Sequence, residues 1–304
     1  MKRFSPALLF LVALASPTVA QEPLEVELAE PVVSVPMDTT HSHVGLEIYL
    51  GEEGPFWVNL DTYAVTVACI DAEFAKQMGY RKVGTTRNGD GSGAYRTLDV
   101  VLIPELRLGG ATFTNIRALA DDYAYLENPE GGPLRGLLGY HLFRDLLLEL
   151  DYTEGRVVLQ RGELAKDDPH VITHSALRER PDLPIRMGGE ELIVGIDSGA
   201  QSGLSIPFAR MSELELLSEP VKVGSARTVY SSAPIWVSQL VDPLHIAGHR
   251  IENFEGTFSE IFGKTLIGYG LLKEYSVTFD QKRGRVRFLG KERAAARTEA
   301  APLD

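Results

Sequence analysis

The chain has 304 residues, 44% of them hydrophobic and 24% charged, enough for two domains or one large bilobal one. A formal charge of −12 and a pI near 5.1 argue against a nucleic-acid binder or a protein of anionic membrane surfaces, both of which need a basic face. The single cysteine, Cys69, excludes an intrachain disulfide and a cysteine-based zinc site.

Residues 1–20 read as a secretory signal peptide: Lys2 and Arg3, an apolar run from Ala7 to Ala15, and small residues up to a cut after Ala20. The run is too short to span a bilayer, so no integral membrane segment is expected after cleavage, and the mature protein is expected in the periplasm or secreted. Its charge becomes 28 basic less 42 acidic residues, or −14.

From there the pattern is mainly β. Val44 to Leu50 alternates as a strand, and Pro55 to Leu60 is a second one that runs into Asp61-Thr62-Tyr63-Ala64. Cys69, in Val67-Ala68-Cys69-Ile70, reads as a small buried hydrophobe. A short helix is expected over Ala72 to Met78, ended by Gly79. The glycine-rich Asn88-Gly89-Asp90-Gly91-Ser92-Gly93 is a hairpin tip before a strand at Leu98 to Ile103, and a short helix is expected from Tyr140 to Asp145. A polar, proline-bearing join runs from about Arg161 to Pro184. Beyond it Leu192 to Ile196 is an apolar strand leading into Asp197-Ser198-Gly199-Ala200, and Val277 to Asp280 another, followed by a turn at Lys282-Arg283-Gly284. Glu292 to Asp304, rich in Ala and charge, reads as a disordered tail.

Four features recur in the same order. Asp61 matches Asp197 at an offset of 136, and Leu106 to Gly110 with Asn115 matches Leu244 to Gly248 with Asn253 at 138. Gly136 to Tyr140 matches Thr265 to Tyr269, and Leu150-Asp151 with Gly155 to Leu159 matches Phe279-Asp280 with Gly284 to Phe288, both at 129. Near-constant offsets in fixed order imply an internal duplication. The expected organisation is an N-terminal lobe over 21–165, a linker over 166–182, a C-terminal lobe over 183–291 and a tail over 292–304.

A strand ending in Asp-Thr/Ser, a glycine-bearing hairpin, an apolar-apolar-Gly strand before a short helix, and a closing Asp…Gly-Arg-Val hairpin together resemble one lobe of a retropepsin-like or pepsin-like aspartic protease. The two-lobed form with a signal peptide resembles the bacterial secreted group, and the likeness runs from about Val44 to Leu289. It implies two homologous acid-protease β-barrel lobes with short helices, each giving one carboxylate, Asp61 and Asp197, to a dyad that shares a proton and activates water against a peptide bond. It further implies that Thr62 and Ser198 hydrogen-bond across the two-fold, with Tyr63 and Gly199 in the same loops. Gly139 and Gly268 would let a strand pack beneath each loop. Gly89, Asp90, Gly91, Ser92 and Gly93 would form the flap over an extended peptide or unfolded protein substrate, with Gly224 to Ser232 as counterpart. No cofactor or metal is implied, and one chain holding both lobes would work as a monomer.

Tyr63 departs from the pattern, because the family has Gly there. Either the loop tolerates a side chain and keeps a narrowed but working site, or the first lobe has lost its catalytic geometry and the protein is an inactive peptide binder. The pair His41 and His43 lacks further ligands at convincing spacing and reads as a solvated strand end. No Gly-x-Ser-x-Gly elbow occurs, and the Gly89 to Gly93 cluster precedes a strand pattern rather than the helix of a phosphate cradle.

Overall fold

The computed structural model describes residues 22–89, 93–123, 126–174, 179–227 and 231–291. The expected signal peptide, the expected tail and the hairpin residues Asp90, Gly91 and Ser92 lie outside the described residues. Among those described, no helix is long and apolar enough to cross a membrane.

Alternating apolar residues in the N-terminal half build strands with one buried face, as in Val32–Pro36, where Val33 and Val35 point inward and their neighbours outward. Six strands close on themselves: Val44–Leu50, Glu53–Asp61, Gly136–Gly139, Ala68–Asp71, Ala111–Asp121 and Tyr95–Leu108, which pairs back to the first. Closure leaves no free edge within this barrel. Arg81–Gly89 adds to it through Tyr95–Leu108, the two forming a long arm in which Gly89 stands opposite Tyr95.

The C-terminal half contributes a nine-stranded sheet. Its spatial order is Val221–Arg227, Ser232–Gln239, Glu255–Ser259, Leu204–Pro207, Leu266–Ile267, Glu190–Ile196, Asp182–Met187, Leu244–Ile246 and His249–Ile251. A third sheet of six strands draws on both halves. Leu147–Asp151 pairs with Tyr275–Asp280 at its centre, flanked by Arg156–Gln160 with Val32–Pro36 on one side and Arg285–Gly290 with Val171–Thr173 on the other. The stretch expected as a join therefore holds a paired strand, Val171–Thr173.

Packing is continuous through the two halves, with one cluster of buried apolar side chains running from Val33 to Phe288. Across the junction the Tyr140 and Phe279 rings meet edge to face at 5.7 Å, and the Gln281 amide donates to the Tyr140 carbonyl at 2.6 Å. The helix expected at 72–78 spans Ala72–Gln77: the Asp71 carboxylate caps it by accepting from the Phe74 amide at 2.9 Å, and Gly79, at φ +69°, stops it. The one expected from Tyr140 to Asp145 is a single 3₁₀ turn, Tyr140–Phe143, because the strand Leu147–Asp151 follows almost at once. Cys69 is buried in its strand, and burial pushes its thiol up to about 12, the profile of a packed hydrophobe and not of a nucleophile.

Candidate active site

Asp61 ends the strand Glu53–Asp61, which runs parallel to Gly136–Gly139 with Asp61 beside Gly139. Asp197 follows the strand Glu190–Ile196, which runs parallel to Leu266–Ile267, and its amide donates to the Ile267 carbonyl at 2.9 Å. These registers deliver both carboxylates to one half-buried point: the Cβ position of Gly199 stands 3.0 Å from the Asp61 carboxyl carbon and 3.2 Å from Asp197 Oδ1.

Four hydrogen bonds lock the two loops together. The Thr62 amide donates to Ser198 Oγ at 3.0 Å and the Ser198 amide to Thr62 Oγ1 at 3.1 Å. Thr62 Oγ1 donates to the Ile196 carbonyl at 2.8 Å, and Ser198 Oγ donates to the Leu60 carbonyl at 2.7 Å. Both side chains are fully buried, so losing either hydroxyl would strand an amide and a carbonyl of the opposite half without water to replace it.

Beneath each loop a glycine is required by space. A Cβ on Gly139 would lie 2.1 Å from the Thr66 carbonyl oxygen, and one on Gly268 would lie 2.5 Å from those of both Ala200 and Ser202. The following amides bond upward to the loops, Tyr140 to the Ala64 carbonyl at 3.1 Å and Tyr269 to that of Ala200 at 2.8 Å. Because the obstacles at Gly268 are backbone atoms, Gly268→Ala is expected to displace the Asp197 loop and cost about 1–3 kcal/mol or more. Urea unfolding measures this, and an unchanged midpoint would show that the close approach is dispensable.

Electrostatics divide the two carboxyls. Burial raises both above the ordinary aspartate value. Asp197 is driven up further by the neighbouring Asp61. Against burial, Asp61 is held toward its charged form by the amides of Tyr63 and Ala64, which donate to Oδ1 at 2.8 and 2.9 Å, and by His43 and Arg180. The two carboxyls therefore titrate as a pair that holds a single proton over a range belonging to both.

Tyr63 takes its place without disturbing this arrangement. Its amide reaches Asp61 at the same 2.8 Å as the Gly199 amide reaches Asp197 Oδ1, and neither residue has a positive φ. The backbone at position 63 thus makes no demand that only glycine could meet. The Tyr63 ring crosses to the C-terminal half and lies over Gly195, where a Cβ would sit 2.2 Å from the ring. Its hydroxyl donates to Asp182 Oδ1 at 3.0 Å, Lys264 holds Asp182 Oδ2 at 2.6 Å, and the Arg180 guanidinium lies 5.0 Å from the ring centre. Position 199 offers no such freedom, since a Cβ there would stand 3.0 Å from the Asp61 carboxyl carbon.

Of the expected site residues, the structure brings together Asp61, Thr62, Tyr63, Asp197, Ser198 and Gly199, with Gly139 and Gly268 under their loops. Gly89 ends one strand of the arm beside the barrel and Gly93 lies just before the other, with the Arg87 guanidinium 4.2 Å from the Tyr95 ring centre. The expected counterpart has paired sides, Val221–Arg227 and Ser232–Gln239, and its residues 228–230 lie outside the described ones.

Sequence reasoning missed the surroundings of Tyr63 (Arg180, Asp182, Gly195 and Lys264) and the contact of His43 with Gln201. Gly195 carried a readable signal, because a glycine inside an apolar strand marks close approach by another group. His43 corrects an expectation: it is no solvated strand end but a half-buried imidazole near Asp61, placed there by the turn that precedes the strand Val44–Leu50.

Comparison of the sequence with protein-family models and with curated proteins finds no match.

Proposed function

We propose that the protein is an aspartic endopeptidase of two homologous acid-protease-like lobes, with Asp61 and Asp197 as its dyad and an extended peptide or unfolded protein as substrate. The observation that carries this reading is the approach of the Asp61 and Asp197 carboxyls to one point beside Gly199, held by the reciprocal Thr62 and Ser198 contacts. The duplication is supported by strand order: the sequence of neighbours Ala111–Asp121, Ala68–Asp71, Gly136–Gly139, Glu53–Asp61, Val44–Leu50 is repeated by Glu255–Ser259, Leu204–Pro207, Leu266–Ile267, Glu190–Ile196, Asp182–Met187. Backbone conformation repeats as well, with φ +55° and +60° at Gly109 and Asn115 against +49° and +57° at Ala247 and Asn253.

In this mechanism the charged Asp61 removes a proton from a water held between the carboxyls, and the water oxygen attacks the peptide carbonyl carbon. Asp197 gives its proton to the carbonyl oxygen, producing a neutral gem-diol. Collapse breaks the C–N bond as the proton gained by Asp61 passes to the leaving nitrogen and Asp197 recovers its own from the diol. Arg180 and the two loop amides stabilise the Asp61 charge before the reaction, and the Thr62–Ser198 bonds keep the carboxyls in register. In this reading residues 1–20 serve as a leader and the protein works outside the cytoplasm, as a monomer that needs no cofactor.

The test incubates the purified mature chain and its Asp197→Asn variant with an unfolded protein from acidic to neutral pH. Cleavage by the parent and none by the variant is the expected result. Peptide binding with no cleavage by either would leave an inactive binding protein on the same fold.

A further inference from the structure

Against the loop that follows Asp197 stands a third ionisable group, within electrostatic reach of Asp61, that the proposed reaction does not itself consume. His43 precedes the strand Val44–Leu50 and is half-buried, with its Nδ1 sealed from solvent and lacking a well-formed hydrogen bond among the described residues. Its Nε2 lies 3.3 Å from the side-chain nitrogen of Gln201, which also donates to the His41 carbonyl at 2.9 Å. Gln201 closes the loop that carries Asp197, so the imidazole bridges from the Asp61 side of the site to the opposite catalytic loop.

An amide donor on Nε2 fixes the neutral tautomer with its hydrogen on Nδ1. Protonation turns Nε2 into a donor, and the Gln201 nitrogen can then no longer serve it; the amide must turn to present its oxygen. The charged groups that face the ring are few. Asp61 favours its protonation, His41 on the same turn opposes it, and the Gly199 backbone on the opposite loop favours it while Gln201 carries no charge. Burial is the largest influence and lowers the imidazole below its ordinary value, toward the range in which the buried Asp61 takes up a proton.

We propose that His43 is a positioning residue of the dyad, coupling the ionisation of Asp61 to the seating of the Gly199–Gln201 loop. As the pH falls, a protonated His43 holds Asp61 ionised and so extends downward the range in which the pair keeps a single proton. This rests on the endopeptidase reading only in taking Asp61 and Asp197 as a working pair.

The experiment follows carboxyl and imidazole resonances by NMR in the full mature chain labelled with ¹³C at aspartate carboxyls and histidine Cε1, with Asp61→Asn and Asp197→Asn spectra as assignments. In His43→Gln the Asp61 midpoint moves to higher pH. In Asp61→Asn the His43 midpoint moves to lower pH by a comparable interval, since coupling between two sites is reciprocal. Should the Gln variant fail to fold, His43→Asn serves in its place. A folded variant whose Asp61 midpoint stays where the parent's is, or an imidazole indifferent to Asp61→Asn, overturns the inference. Proteolysis is scored separately: in His43→Gln the acidic limb of the cleavage profile moves to higher pH. Reciprocal NMR shifts in a chain that cleaves nothing would sink the endopeptidase reading and leave the coupling intact; cleavage with unmoved midpoints would do the reverse.

Discussion

Asp197→Asn is expected to unfold at a higher temperature than the parent chain at neutral pH, and to lose that advantage in acid. The folded-state value of Asp197 lies well above its ordinary 3.8 because the carboxyl is buried and faces Asp61. Between the two values the native chain binds more protons than the unfolded one, so the contribution is fully present below about 3.8 and lost as pH rises through the folded value. Above its ordinary 3.8 the native state must hold a proton against the solvent or, past the folded value, keep two carboxyls charged at close quarters. An amide carries no charge at any pH and avoids that cost. Each pH unit of displacement is worth about 1.4 kcal/mol, and about 2–4 °C accompanies each kcal/mol in a protein of this size. Calorimetry of both chains from acid to neutral pH checks the sign. A variant less stable than its parent at neutral pH would mean that the carboxyls are not in conflict.

The second large effect is expected at Gly195. Its Cα hydrogen faces the Tyr63 ring, and a Cβ would lie 2.2 and 2.7 Å from two ring carbons. Gly195→Val is therefore expected to expel the ring, break its 3.0 Å hydrogen bond to Asp182 and strain the loop that holds Asp61. Overpacking of this kind costs about 1–3 kcal/mol, and a small displacement of a catalytic loop can lose about a hundredfold in rate. Combining it with Tyr63→Gly should restore much of the stability, because the ring that the new side chain meets is then gone and only the flexible end of Leu266, 2.7 Å from the added Cβ, must give way. Thermal unfolding of the two single variants and the double variant gives the coupling directly. Strictly additive losses would refute the claim that Gly195 is there for the ring.

Much of the site was legible in the sequence because its parts depend on local order. Asp61 and Asp197 each end an apolar strand, Gly139 and Gly268 each follow two apolar residues, and the offsets between matching features hold nearly constant. Strand pairing turns such order into position. Tyr63 was not legible in the same way. From sequence it stood where the aspartic-protease pattern that the chain resembles has a glycine, and whether that closes the site depends on where the ring goes. That is decided by Gly195, Asp182 and Arg180, more than a hundred residues away, whose approach no local pattern encodes. His43 misled for a related reason: polar neighbours and a turn suggested solvent, while burial came from a loop of the other half. The strand Val171–Thr173 was hidden because three residues carry too little alternation to stand out in a polar, proline-bearing stretch.

The six-stranded sheet shared by the two halves has a consequence for the order in which the molecule can be completed during synthesis. Its central pairing joins Leu147–Asp151 to Tyr275–Asp280, and one outer pairing joins Val171–Thr173 to Arg285–Gly290. The strand under the second loop, Leu266–Ile267, also comes late in the chain. A ribosome-bound chain that has emerged only as far as the middle can close the barrel, but it has neither Asp197 nor the sheet that spans both halves. The two carboxyls can meet in their final setting only when almost the whole chain is out, so a nascent or truncated product carries half a site.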